Sequence, residues 1–389
     1  MSDAATIADE PTADWDELAV DRPGGHVLQS VAWAEHRRSS GWRPQYLSWR
    51  GHRVLALVRP WPLVGGGSAY LPRGPVPTAE GRETAVTAWT IANALKADAV
   101  DVVAIDAEVP ADDLGYRDVL EKAHFRPIEE IQPSRHKVAL ALAGADEDAV
   151  FGGIAKATRQ RIRKAEGQGT CVVRHDVRAG DDAGDGFARP HDPPATALDR
   201  FYDLLLETGE RKHFSFGPRS SFVGWWQRAQ AAGHVVYLEA RAERPDGDVL
   251  GGLRLYRHGD RLSTVHSGDP AASRREHPGT MHLLRWRAIQ LALREGRREM
   301  DLGGVDVPGA RRRPTEGEPL HGLLQHKLSF GAEWVELAGA YERVHRPIRY
   351  AAGRGSSAVA RRIVTGPVGH RARHRPTRRA TALAPRPAA

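Results

Sequence analysis

The chain has a single cysteine, Cys171, so an internal disulfide is excluded and a reducing compartment is the expectation. No apolar run approaches the roughly 20 residues needed to cross a bilayer. The acidic opening, MSDAATIADEPTADWDELAV, lacks a basic segment followed by an apolar one, so no secretory signal is expected and the predicted location is the cytoplasm. Several chemical signatures are missing as well. There is no G-x-x-x-x-G-K-[ST] phosphate loop, no G-x-G-x-x-G after a strand and no G-x-S-x-G nucleophile elbow. With no cysteine pair and 18 scattered histidines, no metal site is predicted. The tail from 351 to 389 has no acidic residue and no lysine, yet it holds nine arginines.

That tail explains the net charge of +7, because the rest of the chain keeps 47 of the 56 basic residues against all 49 acidic ones. A basic tail attracts the phosphates of nucleic acid or anionic lipid. A solvated arm has the same composition. At 389 residues, with 41% hydrophobic and 27% charged residues, the chain is an ordinary globular one of two domains.

Periodicity predicts a helix at 30–40, strands at 43–50, 53–61 and 68–74, a helix at 80–97, the buried strand DAVDVVAI, a helix at 113–122 and the strand HKVALAL. This α/β unit spans 15–145. A second unit, 146–332, opens with two helices, the first capped by Asp146. Strand TCVVRH, an exposed Gly/Asp/Pro loop at 176–195 and helices at 196–211 and 219–232 follow. Strands at 234–242, 249–257 and 261–268 form a meander. A helix at 279–294, strand REMDLGGV and helix LHGLLQHKLSF come next. One closing strand, EWVELAGAYERV, lies in a segment, 333–350, that is a candidate to return to the first domain. The order of elements in the two units is similar, which suggests a duplicated fold.

Four stretches can carry chemistry, and each also has a purely structural explanation. In HVLQSVAWAEHRRSSGW, Gln29, Trp33 and Arg37 share a face by four-residue spacing. LLLETGERKHFSF ends a helix on Thr208, Arg211 and Lys212, which also suits the helix dipole. His266 closes the strand of STVHSG and is a candidate for proton transfer, and the helix after Pro278 offers free N–H groups to an anion. Asp301, Gly303 and Gly304 end another strand, and Lys327 lies on the following helix. The cationic helix KATRQRIRKAEGQG adds Arg159, Arg163 and Lys164.

Together and in this order, LQSVAWAEHRRSSGW, AYLPRGPV, VVAIDAEV, IQPSRHKVAL, TRQRIRKAEGQG, FYDLLLETGERKHFSF, LGGLRLYRHGDRLSTVHSG, HLLRWRAIQLALREGRREMDLGGV and LLQHKLSFGAEWVELAGAYERVHRP resemble the FemABX family of aminoacyl-tRNA-dependent peptidyltransferases. The resemblance covers 15–350. It implies an α/β fold of two tandem GNAT-like domains with mixed, largely antiparallel sheets. It also implies transfer of an amino acid from aminoacyl-tRNA to the side-chain amine of a peptidoglycan precursor, either lipid II or UDP-MurNAc-pentapeptide, without metal or redox cofactor. The loop at 176–195 stands where some members carry a long helical arm, so this chain is similar to armless members.

The resemblance assigns Lys327 to the tRNA 3′ end and the chemistry there. It places His326 where the family has an aromatic that stacks on the terminal base. Arg37 and Arg211 fall where basic residues meet the precursor's phosphates, with Trp33 and Asp301 beside them. His266 replaces the usual tyrosine, and Ala332 the last glycine of FGG. Contact with tRNA phosphates is expected from Arg159, Arg163 and Lys164. The basic tail is a candidate for peripheral contact with an anionic membrane at its inner face. Alternatives are an acyl-CoA N-acyltransferase, whose [RQ]-x-x-G-x-[GA] loop is missing, a tRNA-dependent transferase of secondary metabolism, and a non-catalytic nucleic-acid or membrane binder. No sequence feature fixes the oligomeric state.

Overall fold

A computed structural model describes residues 4–178, 185–212 and 217–365. The first part comprises β1 (Thr6–Ala8), α1 (Val31–Arg38), β2 (Arg43–Trp49), β3 (His52–Pro60), β4 (Gly67–Leu71), α2 (Gly81–Ala97), β5 (Val100–Ile105), α3 (Leu114–Lys122) and β6 (Arg126–Pro127). The second comprises β7 (Lys137–Ala141), α4 (Glu147–Gly153), α5 (Lys156–Gly167), β8 (Cys171–His175), α6 (Pro194–Lys212), α7 (Arg219–Ala231), β9 (Val235–Arg241), β10 (Val249–His258), β11 (Arg261–Gly268), α8 (Ser273–Glu276), α9 (Thr280–Arg294), β12 (Glu299–Asp301), α10 (His321–Leu328) and β13 (Glu333–Val335). The chain then continues through β14 (Tyr341–Val344) and α11 (Pro347–Thr365).

Two seven-stranded sheets run β1-β2-β3-β4-β5-β14-β6 and β13-β7-β12-β11-β10-β9-β8. Each is an antiparallel meander whose last strand leads through a crossover helix to a parallel neighbour: β4–α2–β5 in one and β11–α9–β12 in the other. The apolar face of each crossover helix packs on its sheet, with Ile91 and Leu95 of α2 and Leu284 and Ile289 of α9 fully buried. Asp146 caps α4 by accepting the Ala149 N–H at 2.7 Å.

Two strands change places between the halves. β7 belongs by sequence to the predicted first unit, 15–145, but pairs with β12 and β13 in the second sheet. The predicted single strand EWVELAGAYERV breaks in two. β13 stays beside β7, while β14 crosses to the first sheet and pairs with β5 and β6. The break falls at Gly339, whose φ of +88° suits glycine and whose missing Cβ leaves room for Arg135 and Glu130. A shared core seals the exchange, since Leu28, Tyr46 and Leu57 of the first half pack in one cluster with Phe201, Trp226 and Tyr256 of the second. Glu108 of the first half also ion-pairs with Arg261 of the second and lies 3.7 Å from Arg73.

Gln29 does not share a helical face with Trp33 and Arg37. It precedes the N-cap Ser30 of α1, and its buried amide bonds the Leu55 N–H and the Pro72 carbonyl at 2.7 Å each. Part of the predicted 176–195 loop is tied down: Ala188 bridges to Val173, while residues 179–184 lie outside the described residues. The tail beyond 365 also lies outside them, and α11 includes the segment SSAVARRIV.

Candidate active site

β11 and β12 pair only as far as Ser263 and Asp301, after which β11 runs on to Gly268 while the other chain turns through Gly303 and Gly304. The V between them opens into a cavity of about 880 Å³ between the two halves. Its walls include Trp33, Arg37, Arg73 and Glu108 from the first half and His266, Arg285, His326 and Lys327 from the second. The linker 132–137 lies between them.

The two glycines are sterically required. Gly303 has φ +80°, and a methyl there would lie 3.1 Å from the Thr264 carbonyl oxygen and 3.4 Å from Lys327 Nζ. At Gly304 a methyl would lie 2.2 Å from Ser134 Cβ and 2.4 Å from the His136 carbonyl oxygen. The linker is held there by Asp306, whose buried carboxylate accepts the Arg135 N–H at 2.8 Å. Asp301 lines the cavity, and its Oδ1 accepts the Gly303 N–H at 2.7 Å, which shapes this turn.

Lys327 sits in the last turn of α10 with its amine buried in the V. Nζ donates to the carbonyl oxygens of Gly303 at 2.8 Å and Gly304 at 3.2 Å. Burial, aided by the nearby Arg285 charge and opposed by Asp301 and Asp306, lowers its pKa to about 7. A neutral amine has two N–H bonds, which these carbonyls occupy, and one lone pair that stays available. The arrangement can therefore hold and release a proton near neutral pH.

His266 is anchored from behind. A register shift between Arg254 and Leu255 lets β11 bulge at Val265 and brings His266 opposite Arg254. Arg254 is fully buried against the faces of Trp226, at 4.3 Å, and Trp225, at 5.2 Å, and hydrogen-bonds His266 Nδ1. A guanidinium only donates, so Nδ1 must be the acceptor and Nε2 carries the proton. Burial and Arg254 both hold the ring well below the usual histidine range. His266 is thus a neutral N–H donor.

The cavity is electropositive. Arg37 and Arg285 make no ion pair among the described residues; Arg37 lies over the rings of Trp33 and Trp42 at 5.5 and 5.2 Å. Arg285 donates to the Met281 carbonyl at 3.3 Å, and burial pushes its pKa down to about 10. His326 packs edge-on to His282 at 4.5 Å and to Phe330 at 5.5 Å. Burial, with Arg285 next, lowers its pKa to about 2, so it is neutral.

Other predicted residues are engaged elsewhere. Arg211 donates to Asp269 at 3.2 Å, a carboxylate that Arg274 also binds, and does not line the cavity. Arg159 turns back to the carbonyls of Gly152 and Ile154 at 2.6 and 2.7 Å, closing α4 and competing with any outward contact. Arg163 lies over Phe151, while Arg163 and Lys164 both remain exposed on α5. At the start of α9, Gly279 packs closely on α5, where a methyl would lie 2.3 Å from the Arg161 carbonyl. Arg254 and Arg285 were missed by sequence reasoning, although both interrupt apolar runs, LRLYR and HLLRWRAIQ.

A family profile described as an acetyltransferase (GNAT) domain matches residues 154–311. No curated protein matches the chain in sequence. The crystal structure of FemX superposes with a TM-score of 0.73 at 17% identity, over 89% of this chain and 99% of that one. L-PGS from Bacillus licheniformis gives 0.48 at 12% identity, over 81% and 88%. The chain has the FemX fold, two GNAT-like units of mixed α/β structure with largely antiparallel sheets, and its second unit is of the acyltransferase type.

Proposed function

We propose that this protein transfers an amino acid from aminoacyl-tRNA to the side-chain amine of the stem peptide in a peptidoglycan precursor. The observation that carries the reading is the buried Lys327 amine, held by Gly303 and Gly304 in an electropositive cavity that both halves line. The acceptor's nitrogen attacks the ester carbonyl, so a C–N bond forms and the bond from that carbon to the ribose oxygen breaks. Neutral Lys327 takes the proton the attacking amine must lose and returns it to the departing ribose oxygen. The Nε2–H of His266 donates to the carbonyl oxygen as its charge grows. Arg37 and Arg285 meet phosphates of the two substrates, while His326 supplies a flat face to the terminal base.

The experiment is transfer of labelled amino acid from charged tRNA to UDP-MurNAc-pentapeptide and to lipid II, with and without ribonuclease. Product lost on ribonuclease treatment supports the reading. The GNAT profile favours one other donor, acyl-CoA; product that forms from acyl-CoA and survives ribonuclease supports that instead.

A further inference from the structure

One edge of the first half carries an apolar tip that the proposed transfer does not use. The turn between β3 and β4 places Leu63 wholly in solvent at φ +69°. Beside it, in the first turn of α11, Ile348 is 88% exposed. Val64, Pro347, Ile348 and Ala352 line a shallow hollow of about 510 Å³ with Arg346 and Arg349. Large aliphatic side chains this exposed retain a driving force for burial.

The surroundings are basic. Arg343 lies on β14, Arg346 just before α11 and Arg349 and Arg354 in its first turns, and no acidic residue follows Glu342 in the sequence. Asp101 offsets part of this charge, accepting Arg349 at 2.7 Å and lying 3.4 Å from Arg346. Arg59 and Arg354 rest against aromatic rings and pair with no carboxylate among the described residues. The tip is firmly mounted: Gly353 lets α11 approach Trp61, where a methyl would lie 2.4 Å from the ring.

We propose that this face docks on an anionic lipid bilayer, with Leu63, Val64 and Ile348 entering the headgroup–acyl boundary and the surrounding arginines meeting lipid phosphates. Three aliphatic residues fall far short of the roughly 20–30 per side of a stable protein interface. They suit shallow insertion, and the charge suits anionic lipid. A groove of about 480 Å³ is lined by Trp61, Tyr350 and Arg354 and by Trp33 and Arg37, which also line the central cavity. The proposal stands independently of the transfer chemistry.

The test is co-sedimentation of the full chain with phosphatidylglycerol-containing and pure phosphatidylcholine vesicles, at low and high salt. The second arm is a variant carrying Leu63→Asn and Ile348→Asn, since asparagine tolerates positive φ. Binding is expected only to the anionic vesicles and to weaken with salt. The double variant is expected to bind at least about tenfold more weakly while unfolding at the same temperature. Absence of anionic-vesicle binding by the parent overturns the proposal, as does undiminished binding by the variant. A variant that loses tRNA affinity or self-association but keeps vesicle binding overturns it too.

Discussion

Lys327 Nζ lies 2.8 Å from the Gly303 carbonyl oxygen, in a turn whose φ of +80° at 303 favours glycine. Burial lowers the amine's pKa from 10.5 to about 7, so the folded state binds fewer protons than the unfolded state between those values. Stability is lowered below the folded pKa and recovered as pH rises toward the unfolded pKa. Lys327→Met should therefore stabilise the protein at neutral pH, on the order of 1–3 kcal/mol after relaxation, and the gain should fade near pH 10.5. Thermal unfolding across pH checks this.

Gly304→Ala should fail through sterics, because its methyl meets Ser134 and the His136 backbone at 2.2 and 2.4 Å. A loss of about 1–3 kcal/mol or more is expected in denaturant unfolding. Gly322, with open space around it, should accept alanine with little change.

Glu108 is buried between Arg73 and Arg261, and their charges outweigh its desolvation and hold its carboxyl well below the usual range. Its contribution is present above the unfolded carboxylate pKa and is lost as pH falls through the folded one. Glu108→Gln should cost about 3–5 kcal/mol at neutral pH by leaving the buried Arg261 guanidinium without its ion-pair carboxylate, while Arg73 keeps Asp106 at 4.0 Å. The difference from the parent should shrink in acid, read by chemical denaturation at several pH values.

Arg254→Met removes the donor that fixes the His266 tautomer. Turnover should fall about 10- to 100-fold with the KM for tRNA little changed. His266→Phe should cost about 10²–10³ by deleting the donor itself, and combining the two changes should add little. Steady-state kinetics of the four proteins decide it; additive losses contradict the linkage.

Element type was legible because the meander strands are short apolar runs between turn residues, β9 and β10 being buried almost throughout, and the crossover helices are longer apolar-rich segments. The exchange of β7 and β14 was not. VELAGAYERV reads as one apolar strand, and nothing local says that Gly339 sends its second half to the other sheet. Lys327 was reachable through the family resemblance, but its lowered pKa depends on burial in the folded cavity and on the neighbouring Arg285 charge. The partner of His266 was hidden for a similar reason: Arg254 lies across a bulge and becomes its neighbour only when β10 and β11 pair.

The most direct test of Lys327 as the proton-accepting group is the pH dependence of single-turnover transfer from charged tRNA, comparing the parent with Lys327→Met and Lys327→Arg. The mechanism predicts a parent rate that rises through about pH 7, following Lys327. Both variants should retain tRNA binding, fall at least about 10²-fold in rate and lose that inflection. A Lys327→Arg enzyme that keeps the parent's rate and pH profile contradicts it, because a guanidinium stays charged and cannot accept the proton.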